Sequence, residues 1–119
     1  MTRITTPWGW YHVIASGNCW QVKLLHVKAG HRTSLQKHAH RSEDWHLLEG
    51  TGLYTIGEKG MLADDVGWVH VYAHQEHRIS GYKPKGITIL ELQCSPEGIL
   101  TESDITRLQD DYERADSDD

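Results

Sequence analysis

The sequence predicts an all-β domain, and two observations carry that prediction. Most segments alternate apolar and polar residues over short stretches, which is the period of strands because successive strand side chains point to opposite faces. Eleven glycines separate these stretches and mark turns. We therefore expect about eight to ten short strands. Many short antiparallel strands in one small domain indicate a sandwich, a jelly roll or a barrel, and periodicity alone does not choose among them.

Four stretches carry the β-branched and aromatic residues that strands favour: CWQVKLLHV, LYTIG, GWVHVYA and GITILELQ. They extend from Cys19 to Gln93, with turn residues between them. Predicted strands are therefore spread along most of the chain.

The end of the chain departs from this pattern. Thr101 and Asp104 resemble a helix capping box. Three apolar residues follow at the spacing of one helical face, namely Ile105, Leu108 and Tyr112. We therefore predict a short C-terminal helical segment from Thr101 to Arg114 that packs on the sheet.

Length and charge limit the number of domains and the classes of partner. With 119 residues we expect one domain over residues 1–119, with its core in 7–114 and a disordered acidic tail at 115–119. Lysine and arginine number 12 against 17 acidic residues, and this net charge of −5 provides no broad positive field for nucleic acid or an anionic membrane. The two cysteines are too few for a disulfide framework, and no stretch resembles a signal peptide or a membrane span. We expect a reduced, cytoplasmic protein.

The stretch SLQKHAHRSEDW, residues 34–45, concentrates metal-ligand side chains. On a strand, residues two apart project to the same face about 6.6 Å apart, so Gln36, His38 and His40 would share one side. Glu43 follows a short break where the chain can turn a carboxylate back toward that side. The alternative is a polar strand without a metal, because a Q-x-H-x-H run alone is weak evidence for a site.

Further ligands must come from elsewhere in the chain. The stretch HVYAHQEHRI, residues 70–79, supplies His70, His74 and His77. Imidazole and carboxylate ligands together suit a divalent transition metal, so the candidate ions are Zn, Mn, Fe, Co and Ni rather than Ca or Mg.

The spacing of the first stretch resembles the first motif of the cupin superfamily, G-x5-H-x-H-x3/4-E-x6-G. Gly30 and Gly50 flank the stretch, and Gln36 stands in the place of the first histidine. The second motif is looser and ends at His77. This resemblance implies a jelly-roll β-barrel, which we expect from Trp8 to Pro96.

More specifically, the chain resembles the cupin domain in the C-terminal part of type II mannose-6-phosphate isomerase/mannose-1-phosphate guanylyltransferase proteins. The matching pieces occur in order from Pro7 to Arg114 and include TPWG, SLQKHAHRSEDW, EGTG, ELQ and ESDITRLQDDYER. Asp44 departs from the family pattern by replacing a histidine. The nucleotidyltransferase half, with its glycine-rich loop, is not part of this sequence, so we expect no synthesis of a nucleotide sugar.

The resemblance implies both a ligand set and a reaction. It assigns Gln36, His38, Glu43 and His77 to the four metal positions, with His40 as the runner-up ligand. The implied reaction is that of a mannose-6-phosphate isomerase, which interconverts an aldose and a ketose phosphate. A bound divalent ion would act as a Lewis acid in that reaction.

Other roles follow from the chemistry of this reaction. Glu91 is the candidate general base because it alternates with isoleucines in ITILELQ and could point into the barrel; a buried salt bridge is the alternative. Lys23, Arg41 and Arg78 are available to bind the phosphate, although each could instead pair with surface carboxylates.

Two other function classes stay open, namely a dioxygenase-like cupin and a module that binds a sugar or other small ligand without turnover. Five tryptophans also lead us to expect a homodimer that covers aromatic surface.

Overall fold

The computed structural model describes residues 2–98 and 100–114. These residues form eleven strands and one 3-10 helix, Ala63–Asp65. The strands are β1 (Ile4–Thr6), β2 (Gly9–Ser16), β3 (Trp20–Val27), β4 (Leu35–Lys37), β5 (Ser42–Gly50), β6 (Gly52–Ile56), β7 (Lys59–Leu62), β8 (Val69–Val71), β9 (His77–Gly81), β10 (Ile87–Cys94) and β11 (Thr106–Gln109). Within this part of the chain, no helix is long and apolar enough to span a membrane. The tail expected at residues 115–119 lies outside the described residues.

The strands form two antiparallel sheets. One sheet has six strands in the order β1-β2-β3-β10-β5-β8, and the other has five in the order β11-β4-β9-β6-β7. Strand β10 lies inside the larger sheet, paired with β3 on one side and β5 on the other. The predicted strand stretches CWQVKLLHV and GITILELQ thus supply two of its inner strands. The all-β prediction is confirmed.

The inward faces of the two sheets enclose the apolar core. The Trp45 ring on β5 packs against the Tyr54 ring on β6, with ring centroids 5.0 Å apart. Both sheets contribute further buried apolar side chains, chiefly Leu25, Val27, Ile56, Val71, Ile79, Ile87 and Ile89. Burial of each large apolar side chain contributes about 1.5–3 kcal/mol, so this cluster holds the two sheets together.

The inner face of β10 changes character along its length, and this change positions the site. Ile87 and Ile89 face the apolar core, and Glu91 and Gln93 continue the same row because strand side chains alternate with a period of two. Glu43 on β5 lies opposite Gln93 in the ladder. The interior therefore has an apolar end and a polar end, and the candidate site occupies the polar end.

The predicted C-terminal helix is wrong. Residues 106–109 form strand β11, which pairs with β4, and the described residues contain no α-helix. Leu108, which the helical spacing assigns to an apolar stripe, is 44% exposed, whereas Arg107 beside it is buried. Asp104, which the pattern assigns to a capping box, instead accepts hydrogen bonds from two backbone N–H groups of the loop after β4. Tertiary pairing along β4 thus overrides a weak local helix signal.

Candidate metal centre

Three buried side chains converge at the polar end of the interior: His38, Glu43 and His77. One ligand atom from each lies within 4.8 Å of the other two. His38 follows β4, Glu43 lies on β5 and His77 begins β9, so both sheets contribute to the cluster. The Glu43 carboxylate lies 3.1 Å from His38 Nε2 and 3.7 Å from His77 Nε2.

Backbone carbonyls fix the orientation of both imidazole rings. His38 Nδ1 lies 2.6 Å from the carbonyl oxygen of Asp104, and His77 Nδ1 lies 2.9 Å from that of Gln75. A carbonyl only accepts, so each neutral ring carries its proton on Nδ1 and presents the Nε2 lone pair to the cluster. His77 Nε2 is buried and has no hydrogen-bond partner among the described residues. Two oriented imidazoles beside a carboxylate are a donor set that fits a divalent transition metal.

Burial and neighbouring charge set the protonation of the cluster. Burial lowers the pKa of His77, so its ring is neutral at pH 7. Burial by itself would raise the pKa of Glu43, but the nearby His38, His77 and Arg41 outweigh it and hold that pKa well below its ordinary value. Glu43 is therefore ionised. Neutral imidazole and ionised carboxylate are the forms that bind a metal.

The Arg41 guanidinium contacts the same ligand atoms. Its Nε donates to Glu43 Oε2 at 3.2 Å, and its Nη2 lies 3.2 Å from His38 Nε2. Its Nη1 reaches the carbonyl oxygen of Thr101 at 3.5 Å. Burial by itself would lower the pKa of Arg41, but the surrounding carboxylates, Glu43 foremost, raise it. Arg41 is therefore a permanent cation inside the cluster.

The two other ligand candidates on this segment have different surroundings. Gln36 on β4 is the register partner of His77 on β9 and lines the same cavity. Its Oε1 accepts a hydrogen bond from the Ser34 hydroxyl at 3.2 Å, and its role as a ligand stays a prediction. His40, the runner-up ligand, is 38% exposed, and its Nδ1 lies 3.3 Å from Glu97 Oε1. His40 lies outside the buried cluster.

Two histidines of the second stretch also lie away from the cluster. His70 on β8 faces Asp44 on β5, with Nδ1 2.7 Å from Oδ1, and both side chains are partly exposed. His74 is exposed in the turn after β8, where its backbone adopts a φ of 69°. Of the three histidines in that stretch, the structure brings His77 to the site.

Glu91 lies beside Glu43 and shares a donor with it. The indole Nε1–H of Trp45 is 3.0 Å from Glu43 Oε1 and 3.2 Å from Glu91 Oε1. The Gln93 amide donates to Glu91 Oε2 at 2.8 Å. Burial, followed by the negative charge of Glu43, raises the pKa of Glu91 to about 8. The inward orientation expected for Glu91 is thus the one observed.

A cavity of about 70 Å³ adjoins the cluster. Charged side chains of both signs line it: Lys23, Arg41, Glu43, Glu91, Glu102, Arg107 and Arg114. Lys23 Nζ lies 2.8 Å from Glu102 Oε1 and 4.3 Å from the centroid of the Tyr11 ring. The cavity therefore combines candidate metal ligands, a carboxyl group of raised pKa and several cations, a set of groups suited to an anionic ligand.

Arg78, a predicted phosphate ligand, does not line the cavity. It follows His77 on β9 and therefore points to the other face of the sheet. There its Nε donates to the carbonyl oxygen of Thr33 at 2.9 Å, and its Nη2 to that of Gln109 at 3.3 Å. These contacts tie β11 to the loop before β4.

The structure brings three further residues to the site that the sequence does not assign to it: Glu102, Asp104 and Arg107. All three lie in the segment that was predicted to be helical. Glu102 holds Lys23, Asp104 holds the loop that carries His38, and Arg107 lines the cavity. Strand alternation over residues 106–109 would turn the apolar Leu108 inward, so no local signal in the sequence identifies Arg107.

Comparison with known proteins identifies relatives of this chain. Residues 1–110 match the family described as "Mannose-6-phosphate isomerase C-terminal". The chain is 36% identical over 112 residues to "Alginate biosynthesis protein AlgA" of Pseudomonas aeruginosa, a match that covers 94% of this chain and 23% of that protein. It is 31% identical over 105 residues to a "Mannose-1-phosphate guanylyltransferase" of Sinorhizobium fredii, covering 88% of this chain and 20% of that protein. The chain therefore spans between a fifth and a quarter of the length of these relatives.

The fold is also similar to solved structures. A protein of Rhodospirillum rubrum, Rru_A2000, described as a cupin-2 domain, matches with a TM-score of 0.65 and 17% sequence identity. That match covers 71% of this chain and 58% of the other. At this identity the likeness establishes the cupin fold alone.

Proposed function

Because the chain belongs to the mannose-6-phosphate isomerase C-terminal family, we propose that it is a metal-dependent jelly-roll cupin that interconverts the aldose and ketose forms of a phosphorylated sugar. The observation that carries this proposal is the buried cluster of His38, Glu43 and His77, with Glu91 beside it. The cluster offers two imidazole nitrogens and a carboxylate oxygen, and Glu91 adds a second carboxyl group within the same cavity.

The residues would hold a divalent ion chosen from Zn, Mn, Fe, Co and Ni. His38 and His77 would bind it through Nε2 and Glu43 through its carboxylate, with the Gln36 amide as the fourth ligand. When bound, the ion would polarise the sugar oxygens and stabilise the negative charge that develops as a proton leaves carbon.

The chain's own side chains would move the proton and hold the phosphate. A bound cation would offset the charge of Glu43 and so lower the raised pKa of Glu91, whose carboxyl group faces the cavity beside Glu43. The ionised Glu91 would then take the proton from one of the carbons C1 and C2 and return it to the other, while a hydroxyl proton passes between O1 and O2. Lys23, Arg41 and Arg107 line the same cavity and would bind the phosphate. The buried Trp45 indole would hold Glu91 in place through its Nε1–H.

An isomerase assay on metal-loaded protein tests this function. We expect conversion of mannose 6-phosphate to fructose 6-phosphate, and we expect Glu91→Gln to lower kcat about 100-fold with unchanged metal content. Glu97→Gln is the matched control, because Glu97 is an exposed carboxylate that contacts His40 outside the cluster. Metal-loaded protein that binds mannose 6-phosphate without turnover would refute the isomerase and favour a binding module.

A dioxygenase-like cupin is the second candidate function. Two histidines and one carboxylate with further open positions also suit non-haem iron and oxygen chemistry. The buried cations Lys23 and Arg41 beside the cluster favour the phosphorylated substrate instead. Oxygen consumption by the Fe(II)-loaded protein, measured with and without mannose 6-phosphate, separates the two candidates.

We also propose that the chain is one domain that forms a homodimer. Trp20 and Trp68 are 40% and 55% exposed, and a second copy would cover such aromatic surface. Light scattering at micromolar concentration should give twice the chain mass of 13.6 kDa. A mass of 13.6 kDa would contradict this proposal.

A further inference from the structure

We propose that Arg41 and the metal ion compete for His38 and Glu43, and that an ion which displaces Arg41 makes its guanidinium available to phosphate. Metal and phosphate would then bind this protein with positive coupling through one side chain. The inference rests on the proposed metal centre and concerns its regulation.

The competition follows from the acceptor that Arg41 uses on His38. A metal binds the neutral imidazole, and His38 Nδ1 is engaged with the Asp104 carbonyl, so the one lone pair that His38 can offer an ion is on Nε2. Arg41 Nη2 lies 3.2 Å from that nitrogen. One lone pair cannot serve an N–H donor and a metal ion at the same time, so the contact with Arg41 must break when His38 binds a metal.

The same guanidinium also opposes the ion through Glu43. Arg41 Nε donates to Glu43 Oε2 at 3.2 Å, and both side chains are almost fully buried. A fixed positive charge repels a divalent ion strongly in such a site because little water screens it. Wild-type protein must therefore break the contact between Arg41 and His38, and overcome the repulsion from the guanidinium beside Glu43, before it binds a metal.

The structure also indicates where a displaced guanidinium goes. Arg41 lines the cavity, and its remaining hydrogen bond, to the Thr101 carbonyl, is long at 3.5 Å. Lys23 and Arg107 line the same cavity, so it already contains cations that suit an anion. A guanidinium released from Glu43 and His38 presents two parallel N–H groups, the arrangement that binds phosphate through two oxygens.

Thermodynamic linkage makes the coupling between metal binding and phosphate binding reciprocal. If the metal releases Arg41 for phosphate, phosphate must increase metal affinity by the same factor, because the two couplings are one free energy. Arg41 would be the side chain that carries the coupling.

Cobalt titration of the full chain tests the competition. The probe is Co²⁺ alone, followed by its absorption spectrum, with wild type compared with Arg41→Gln. We expect Arg41→Gln to bind Co²⁺ about tenfold more tightly, because it removes both the competing donor and the repelling charge. Arg114→Gln is the matched control: it removes a positive charge from the same cavity lining, but its salt-bridge partner is Asp110. We expect less than a threefold change for this control.

The second arm repeats the titration with inorganic phosphate. Phosphate should tighten Co²⁺ binding about fivefold or more in wild type and should have no effect in Arg41→Gln. If the enhancement persists in Arg41→Gln, the ion itself holds the phosphate and the coupling through Arg41 is refuted. Co²⁺ affinity in Arg41→Gln that equals or falls below that of wild type also overturns the inference.

The remaining outcomes separate this inference from the proposed function. If neither protein binds Co²⁺, the metal centre fails and the inference fails with it. If wild type binds Co²⁺ and Arg41→Gln gains no affinity, the competition fails while the metal centre stands.

Circular dichroism checks that Arg41→Gln is folded. If it is unfolded, Arg41→Lys replaces it, because a single ammonium cannot bridge both His38 and Glu43. Tighter Co²⁺ binding by Arg41→Lys than by wild type supports the inference, and equal or weaker binding refutes it.

Discussion

Strand β5 presents an acidic residue next to a histidine on both of its faces. Glu43 points inward, 3.1 Å from His38, and its neighbour Asp44 points outward, 2.7 Å from His70. The inner side chains are 1–2% exposed, whereas the outer ones are 31–37% exposed. Each face thus pairs a carboxylate with an imidazole, but the inner pair is buried and the outer pair is partly exposed.

Convergence and burial separate the two pairs chemically. His77 on β9 completes the inner pair from the opposite sheet, and among residues 2–98 and 100–114 the inner trio is the one group of three such ligands that lie within reach of one ion. Water competes for the outer pair, whereas the inner lone pairs are shielded from it. The contrast shows that the face of the strand decides whether a carboxylate and a histidine are buried within reach of a third ligand, which composition alone does not reveal.

The largest effect should come from removing one inner histidine. We expect His77→Ala or His38→Ala to lose stoichiometric metal by elemental analysis, because either change leaves three of the four proposed ligands, one of them a neutral amide. His70→Ala is the outer counterpart and should keep full occupancy. His40→Ala should only weaken binding. Full metal occupancy in His38→Ala would mean that the stretch at residues 34–45 is a polar strand without a metal centre.

The next comparison is between the buried Trp45 and the exposed Trp68. Trp45→Phe removes the one N–H that serves both Glu43 and Glu91, and it leaves two buried carboxyl oxygens with fewer donors. We expect a loss of about 2–3 kcal/mol in the free energy of unfolding, measured with urea. Trp68→Phe changes an indole that is 55% exposed, and it should change that free energy by less than about 0.5 kcal/mol. Equal losses in the two variants would remove the distinction between the faces.

Much of this contrast was predictable from the sequence, because strand alternation is a local property. The period of two in GITILELQ predicts the inward direction of Glu91, and the structure agrees. The family resemblance, and not alternation, predicted that His38, Glu43 and His77 share one site. Alternation by itself left His40 equivalent to His38, since the two have the same parity on a straight strand. Strand β4 ends at Lys37, so His38 and His40 lie in the loop after it, where strand alternation no longer keeps them on one side.

The remaining features depend on contacts between distant segments, which local patterns do not report. Residues 101–112 have a helical apolar spacing, but pairing of β11 with β4 determines their conformation. Arg41 was predicted to bind phosphate, and nothing in its neighbours along the chain predicts a contact with His38 Nε2. Arg78 was grouped with the phosphate ligands because of its charge, and the parity of β9 turns it to the other face.

Asp104 holds the loop that carries both the buried His38 and the exposed His40. Its carboxylate accepts hydrogen bonds from the backbone N–H groups of Ala39 and His40, and its carbonyl orients His38. Asp104→Ala should weaken metal binding about tenfold in a chelator competition, because the loop loses its side-chain anchor and is no longer held against the backbone carbonyl that orients the His38 ring. Glu97→Ala removes the outer partner of His40 and should leave metal affinity unchanged. An unchanged affinity in Asp104→Ala would mean that other contacts suffice to hold His38.

The smallest effect concerns two ion pairs and their dependence on pH. Glu102 pairs with the buried Lys23, and Asp111 pairs with Arg32, whose side chain is 46% exposed. Burial by itself would raise the pKa of Glu102, but Lys23 and its hydrogen bond outweigh burial and lower that pKa below its ordinary value. A carboxyl group with a lowered folded pKa stabilises the protein above its unfolded pKa, about 4.3, and this contribution is lost as pH falls through the folded pKa.

We therefore expect Glu102→Gln to lower the Tm at pH 7 by no more than about 4 °C, because the Glu102 side chain is still 40% exposed. The difference from wild type should begin to shrink as pH falls below about 4, and it should be smallest once pH has passed through the lowered folded pKa, where both proteins carry a neutral side chain at this position. Asp111→Asn should lower the Tm by no more than about 1 °C at pH 7, and 0.5 M salt should remove that difference because solvent screens an exposed pair. The Glu102 difference should survive the same salt, since Lys23 is shielded on the inner side. A Glu102→Gln difference that vanishes in salt, or that grows as pH falls, would show that the inner pair behaves like the outer one.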